Sequence, residues 1–391
     1  MKSLQVFWQF FILGWTSFGG PAAHLGIFQQ RFVVELKWLS EADYLQLVAL
    51  SQFLPGPGSS QVGFAIGRQH AGMTGAWAAF LGFTLPSFLI LLWVALYQPA
   101  SENVFYAQMI LGLKLLAVVV VADATLKMFQ SFCQTRATQT TAVLVAIVLL
   151  LLPFSWSQIA VLAIAFVIGA KFFNTDTNSL PAGKDLPNAR SWFAQSLLLI
   201  GLGLILIHQF FPEMLNPTIQ LFANFAQAGA LVFGGGHVVL PLLQNSIGEQ
   251  ISNDLFLSGY AFAQAVPGPM FSVASFYGAH LLPETPVLGA IIATLGVFLP
   301  GLLLMLALQN SWQNWAQNPQ IQGGILLLNA AVVGLLIATL FTPVFTSAVS
   351  NSIAMAWVLV GLLLLRIFQL KVLWLLPIFA LGFPSSQMTF L

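Results

Sequence analysis

Charge is scarce in this 391-residue chain: only 6% of it is Asp, Glu, Lys or Arg, against about 25% in an ordinary soluble domain. A soluble protein of this length could not cover its surface with so few charged groups. Cysteine is scarcer still. The single Cys133 excludes an intrachain disulfide and a metal cage built from thiolates. The 12 basic and 11 acidic residues leave a net charge of +1 and form no basic stripe, which excludes nucleic acid as a partner. The chain has no Gly-x-Ser-x-Gly elbow, His-Glu-x-x-His, paired membrane aspartates or Walker A loop. Nothing therefore points to an intramembrane enzyme or a nucleotide-driven pump, and no cofactor or metal is expected.

What the chain has instead is apolar surface, at 58% of residues. Runs such as Ala142–Leu152 and Leu359–Leu365 are apolar all round and leave no face for water. These are bilayer segments. The start, Lys2 followed by Leu4–Leu13, imitates a signal peptide but runs on into Phe18-Gly19-Gly20-Pro21 and more membrane-type sequence. It reads as a retained helix.

The sequence is also duplicated. Phe18-Gly19-Gly20-Pro21 returns as Phe233-Gly234-Gly235-Gly236, and Ser51-Gln52-Phe53-Leu54-Pro55-Gly56-Pro57 returns as Ala263-Gln264-Ala265-Val266-Pro267-Gly268-Pro269. Ser40 matches Ser252, Leu85-Pro86 matches Leu299-Pro300, and Ala124-Thr125-Leu126 matches Ala338-Thr339-Leu340, in the same order. The expected organisation is a first repeat over 1–173, a polar linker with one connecting transmembrane helix over 174–213, and a second repeat over 214–391. A lone connector turns the second repeat upside down if each repeat crosses an even number of times. Basic residues collect on the cytoplasmic side, and here they swap places between repeats: Lys127 and Arg136 have uncharged counterparts near Phe341–Ser350, while Arg366 and Lys371 answer the uncharged Pro153–Ser157. The fold class expected is an all-α polytopic membrane protein with an inverted-topology repeat.

Each repeat opens with two interrupted segments. Phe7–Phe18 breaks at Gly19-Gly20-Pro21, and Tyr44–Leu54 breaks at Pro55-Gly56-Pro57-Gly58. The pieces are shorter than the ~20 residues that span a bilayer, and proline stops a helix. Re-entrant hairpins, with breaks meeting near the midplane, are favoured over kinked crossings. The hairpins put eleven of the 12 Lys and Arg residues on the cytoplasmic side and leave only Lys114 in a membrane segment. Irregular backbone at that depth must be buried in protein or face a cavity. Each resumed half-helix begins with unpaired N–H groups and a positive dipole end, so converging starts make an anion site.

The candidate ligand-binding groups are Gly19, Gly20, Gly56, Gly235, Gly236 and Gly268 for close backbone approach. His24 and His237, Ser59, Ser60, Gln61 and Ser272, and the paired Gln52 and Gln264 would serve as polar partners. Each also fits ordinary helix packing. Lys114 is a charge inside a membrane segment and so a further anion-binding candidate, and Asp123 is a candidate proton relay.

The runs Ser17-Phe18-Gly19-Gly20-Pro21-Ala22-Ala23-His24, Trp38-Leu39-Ser40-Glu41, Gln52-Phe53-Leu54-Pro55-Gly56-Pro57, Phe233-Gly234-Gly235-Gly236-His237 and Gln264-Ala265-Val266-Pro267-Gly268-Pro269 resemble the signatures of the chromate ion transporter family. The resemblance covers both repeats. It implies a bacterial inner-membrane protein that exports chromate at the expense of the proton-motive force. Gln244 stands where the family pattern commonly has an acid, which leaves coupling through that position in doubt. An uptake carrier or passive conduit for sulfate-like anions is the alternative. The partners expected are the oxyanion, protons or another coupling ion, the lipid bilayer and, as an option, a second copy of the chain as a homodimer.

Overall fold

A computed structural model of the chain describes residues 2–18, 20–97, 104–152, 155–173, 201, 203, 215–233, 239–308 and 318–389. Gly19, Gly235, Gly236, His237 and most of the connecting segment Trp192–Phe211 lie outside the described residues. Every element among the described residues is helical.

The first repeat begins with α1 (Lys2–Thr16) and α2 (Gly20–Phe28), the latter continuing as a π-helical stretch, Gln29–Glu35. The chain turns back between them: Phe10 packs on both Phe28 and Phe32, and Arg31 donates to Gln9 at 2.6 and 2.9 Å. Next comes α3 (Glu41–Phe53), whose N-cap Ser40 accepts from the Asp43 amide at 3.1 Å. After the break, α4 (Gly58–Leu96) runs outward and reverses at Ala71 and Gly72, where Gly72 takes φ +67°. His70 stacks on Trp38 with ring centroids 3.9 Å apart, and Thr74 meets Ser3 at 2.8 Å. Both broken segments thus enter and leave at the end that holds Lys2, Lys37 and Arg68. They are re-entrant hairpins.

From that end the second arm of α4 crosses. Then follow α5 (Val104–Phe132), α6 (Arg136–Leu151) and α7 (Ser155–Phe172). The second repeat reproduces the plan with α8 (Pro217–Ala230), α9 (Val239–Ile247) and α10 (Asn253–Ala265). A 3-10 turn, Met270–Ser272, leads into α11 (Val273–Leu281), and α12 (Pro286–Leu308) then crosses. The remainder is α13 (Pro319–Thr339) with a π-helical extension, Leu340–Phe345, then α14 (Ser352–Arg366) and α15 (Val372–Thr389). Ser252 caps α10 as Ser40 caps α3, accepting from the Leu255 amide at 3.2 Å. Among the described residues, four helices are long and apolar enough to cross a membrane.

Small residues set the packing. A methyl on Gly82 would collide with the Phe7 carbonyl, and one on Gly296 with the Phe222 carbonyl, its counterpart. The arms of the hairpins close in the same way, Gly67 against Gly75 and Gly278 against Gly289. Close backbone approach is how membrane helices gain van der Waals contact without a hydrophobic drive. The repeats also interlock: α7 lies on α13 through Gly169 and Gly323, and α15 lies on α5 through Phe379 and Gly112. The terminal helix of each repeat therefore belongs structurally to the other.

Inversion is visible in one ion cluster. Asp123, late on α5, pairs with Lys127 at 2.7 Å and with Arg366, at the end of α14, at 2.6 Å. The Arg366 N–H is poorly aligned with that oxygen, so this is a charge contact more than a hydrogen bond. Basic residues from the two repeats thus meet at one end of the molecule.

Candidate functional site

The breaks cross at the centre. The Gly56 amide donates to the carbonyl of Val232 at 2.7 Å, and the Gly268 amide donates to the carbonyl of Ser17 at 2.8 Å. Gly56 and Gly268 are equivalent in the duplication, and so are Val232 and Ser17. Each Pro-Gly-Pro break is therefore held by the Phe-Gly-Gly break of the other repeat. Both glycines need positive φ, +125° for Gly56 and +96° for Gly268. Gly56 also lies against Gly301, immediately after Pro300, and Gly268 against Ser87, immediately after Pro86. Both Pro-Gly-Pro breaks thus meet the backbone just before the Phe-Gly-Gly motif of the other repeat and the residue after its helix proline.

Polar groups gather on the first-repeat side. His24, on α2, is fully buried, and its Nδ1 lies 3.3 Å from Ser59 Oγ. Its Nε2 makes no well-aligned hydrogen bond, although the Ser17 backbone lies within reach of the ring, and Ser60 Oγ and Ser17 Oγ have no partner; all are buried. The half-helices start at Gly20 and Gly58, which puts His24 in the second turn of α2. Unsatisfied buried polar groups are costly, and these three side-chain groups, together with the starts of α2 and α4, fit an oxyanion. The second repeat differs. Ser272 Oγ is already bonded to Ser87 Oγ at 2.7 Å, and Gln264 donates to the Met270 sulfur at 3.4 Å.

Gln61 is placed at the site but is not free to donate. Its Nε2 gives hydrogen bonds to the carbonyls of Pro55 and Gly301, both at 2.9 Å, while its Oε1 is buried without a partner. Gln52 is exposed rather than the buried amide expected from its position beside the break. Gly20 keeps φ +76° with open space around its Cα.

Two charged candidates lie elsewhere. The Lys114 ammonium, buried, sits 2.6 Å from Asp254 at the start of α10. From there to Ala265 is about 17 Å of helix, so Lys114 is remote from the crossing and already neutralised. Asp123 is engaged by Lys127 and Arg366 at the basic end. There, too, Arg31 pairs with Glu35 at 2.6 Å, and that hydrogen bond holds the Glu35 carboxyl below its ordinary value. Ser17, Ser87 and Gly301 belong to the site but were missed as candidates. The recurring Leu-Pro of the duplication was the signal for the last two.

The sequence matches the chromate transporter family twice, over residues 4–170 and 219–383. Relatives include an uncharacterized transporter of Methanocaldococcus jannaschii, 26% identical over 86% of this chain and 83% of the relative. A probable chromate transport protein of Synechococcus elongatus is 29% identical over 85% and 82% respectively. A chromate transport protein of Pseudomonas aeruginosa is 26% identical over 87% and 80%. No solved structure matches. With the matched regions covering most of both repeats and coinciding with the crossed breaks, this chain belongs to the chromate transporter family.

Proposed function

We propose that the protein exports chromate across the bacterial inner membrane, with the oxyanion held where the four breaks cross. The observation that carries this is the set of buried polar groups without a well-aligned hydrogen bond at the first-repeat side: Ser17 Oγ, His24 Nε2 and Ser60 Oγ beside the start of α4. Backbone N–H groups at a helix start and hydroxyl donors hold an anion without a buried formal charge. The names of the relatives supply the oxyanion's identity.

Direction follows from electrostatics. A potential negative inside drives an anion outward by about 2.3 kcal/mol per charge per 100 mV. The electrical part of the proton-motive force suffices for net export, and His24, the titratable group at the crossing, is the place for a proton if one is exchanged.

The test is chromate accumulation by inside-out vesicles. The reading expects uptake when the lumen is made positive with a potassium gradient and valinomycin, and loss of uptake when the potential is collapsed. Uptake that follows the potential but does not respond to an added pH gradient would leave a passive conduit, since any anion path responds to the potential. No uptake by verified, folded protein would remove chromate as the substrate.

A further inference from the structure

We infer that the site takes its oxyanion in a hydrogen-bearing form, with the ligand's own O–H donating to Gln61 Oε1. This rests on the oxyanion site proposed above and narrows its substrate class to monoprotonated tetrahedral oxyanions, such as hydrogen chromate.

The orientation of Gln61 is forced. Its amide group faces two carbonyl oxygens, Pro55 O and Gly301 O, each at 2.9 Å. A flipped amide would put oxygen against oxygen at both, so the nitrogen must face them. The amide oxygen is then left inside the protein, fully buried and unpartnered, in the first turn of α4, where the hydroxyl of the preceding residue, Ser60, is also unpartnered. A bare dianion offers only acceptors, and its oxygens would meet a lone pair there. A hydrogen-bearing oxyanion offers one donor and several acceptors, which matches an orphan acceptor set among helix-start N–H groups and hydroxyls.

Charge points the same way. Lys114, Arg366 and Arg31 lie away from the crossing and are already paired, with Asp254, Asp123 and Glu35 respectively. A monoanion needs less compensation than a dianion when taken out of water.

The titratable and charged groups on Gln61's helix and the elements packed against it are few. They are His24 on α2, Glu41, Asp43 and Tyr44 on α3, Lys2 on α1, Asp254 and Tyr260 on α10, Tyr277 and His280 on α11, and Arg68 and His70 on the outgoing arm of α4 itself. α12 carries none. Of these, His24 is the one hydrogen-bonded to the neighbouring Ser59. Its titration would favour every anion alike, which separates it from an effect of the ligand's own proton.

The experiment is equilibrium binding to the purified full-length protein at mildly acidic and mildly alkaline pH, with chromate, phosphate and selenate as probes. Chromate gains its proton across this range, phosphate carries at least one throughout, and selenate stays a bare dianion. Expected are chromate binding about tenfold tighter at the acidic pH, phosphate binding at both, and selenate about tenfold weaker than chromate under acid. Selenate bound as tightly as chromate, or tightening in parallel with it, would overturn the inference while leaving the oxyanion site intact. Failure of all three probes would remove the oxyanion reading itself. Gln61→Leu should erase the discrimination between phosphate and selenate. Because that variant also loses the two carbonyl contacts, the ligand series on the unmodified protein decides if it does not fold.

Discussion

The amide of Gly56 donates to the carbonyl of Val232 at 2.7 Å, joining the second break of one repeat to the first break of the other. The same bond recurs from Gly268 to Ser17 at 2.8 Å. Two irregular stretches of backbone, each intolerable in lipid alone, thus satisfy one another.

Substituting these glycines tests the crossing. Gly56→Ala combines a disallowed φ of +125° with a collision against Gly301, and a cost of about 1–3 kcal/mol is expected. Gly268→Ala has φ +96° and looser neighbours, the Ser87 hydroxyl and the Gly14 and Phe83 carbonyls. Its loss should be the smaller. Thermal unfolding in detergent measures both, and equal stability of Gly56→Ala and the parent would contradict the tight crossing.

Ser60 separates a ligand role from a packing role. Its hydroxyl is buried without a partner, so Ser60→Ala should leave stability unchanged or slightly higher. Chromate affinity should nonetheless fall about tenfold. A thermal shift assay with and without chromate reads both. A destabilised variant with unchanged affinity would assign the hydroxyl to packing.

Lys114 and Asp254 make an asymmetric pair, with side chains 5% and 69% exposed. Asp254→Asn strands a buried ammonium and should cost about 3 kcal/mol. Lys114→Met frees an exposed carboxylate into solvent and should change stability by less than about 1 kcal/mol. Chromate transport should survive Lys114→Met. If that variant folds but no longer transports, the lysine handles the anion after all.

The topology is open to single-cysteine labelling in a Cys133→Ser background. Lys37→Cys should react from the cytoplasmic side and Glu249→Cys from the opposite side, because the hairpins of the two repeats enter from opposite ends. Labelling of both from one side would contradict the inversion.

Much of this was legible in the sequence, because duplication doubles every local signal. A helix stop at Pro55 could be an ordinary kink, but the same stop at Pro267, with Ser40 and Ser252 capping the preceding helices, marks a shared device. The breaks are local and local rules found them, while the hairpins were favoured by where the basic residues fall along the chain. Partners across the fold were not legible. Lys114 meets Asp254 over 140 residues and Gln61 meets Gly301 over 240, so nothing in their own neighbourhoods shows that the lysine is neutralised or the amide spent. Gln52 illustrates the same limit. It holds the same place before the break as Gln264, yet it is exposed while Gln264 is partly buried on Met270, because the repeats bury different faces there.

The most direct test is a density map of the full-length protein prepared with chromate at mildly acidic pH. The account predicts tetrahedral density at the crossing, within hydrogen-bond distance of Ser60 Oγ and the first amides of α4. Density at Lys114, or an empty crossing in protein shown to bind chromate, would contradict it.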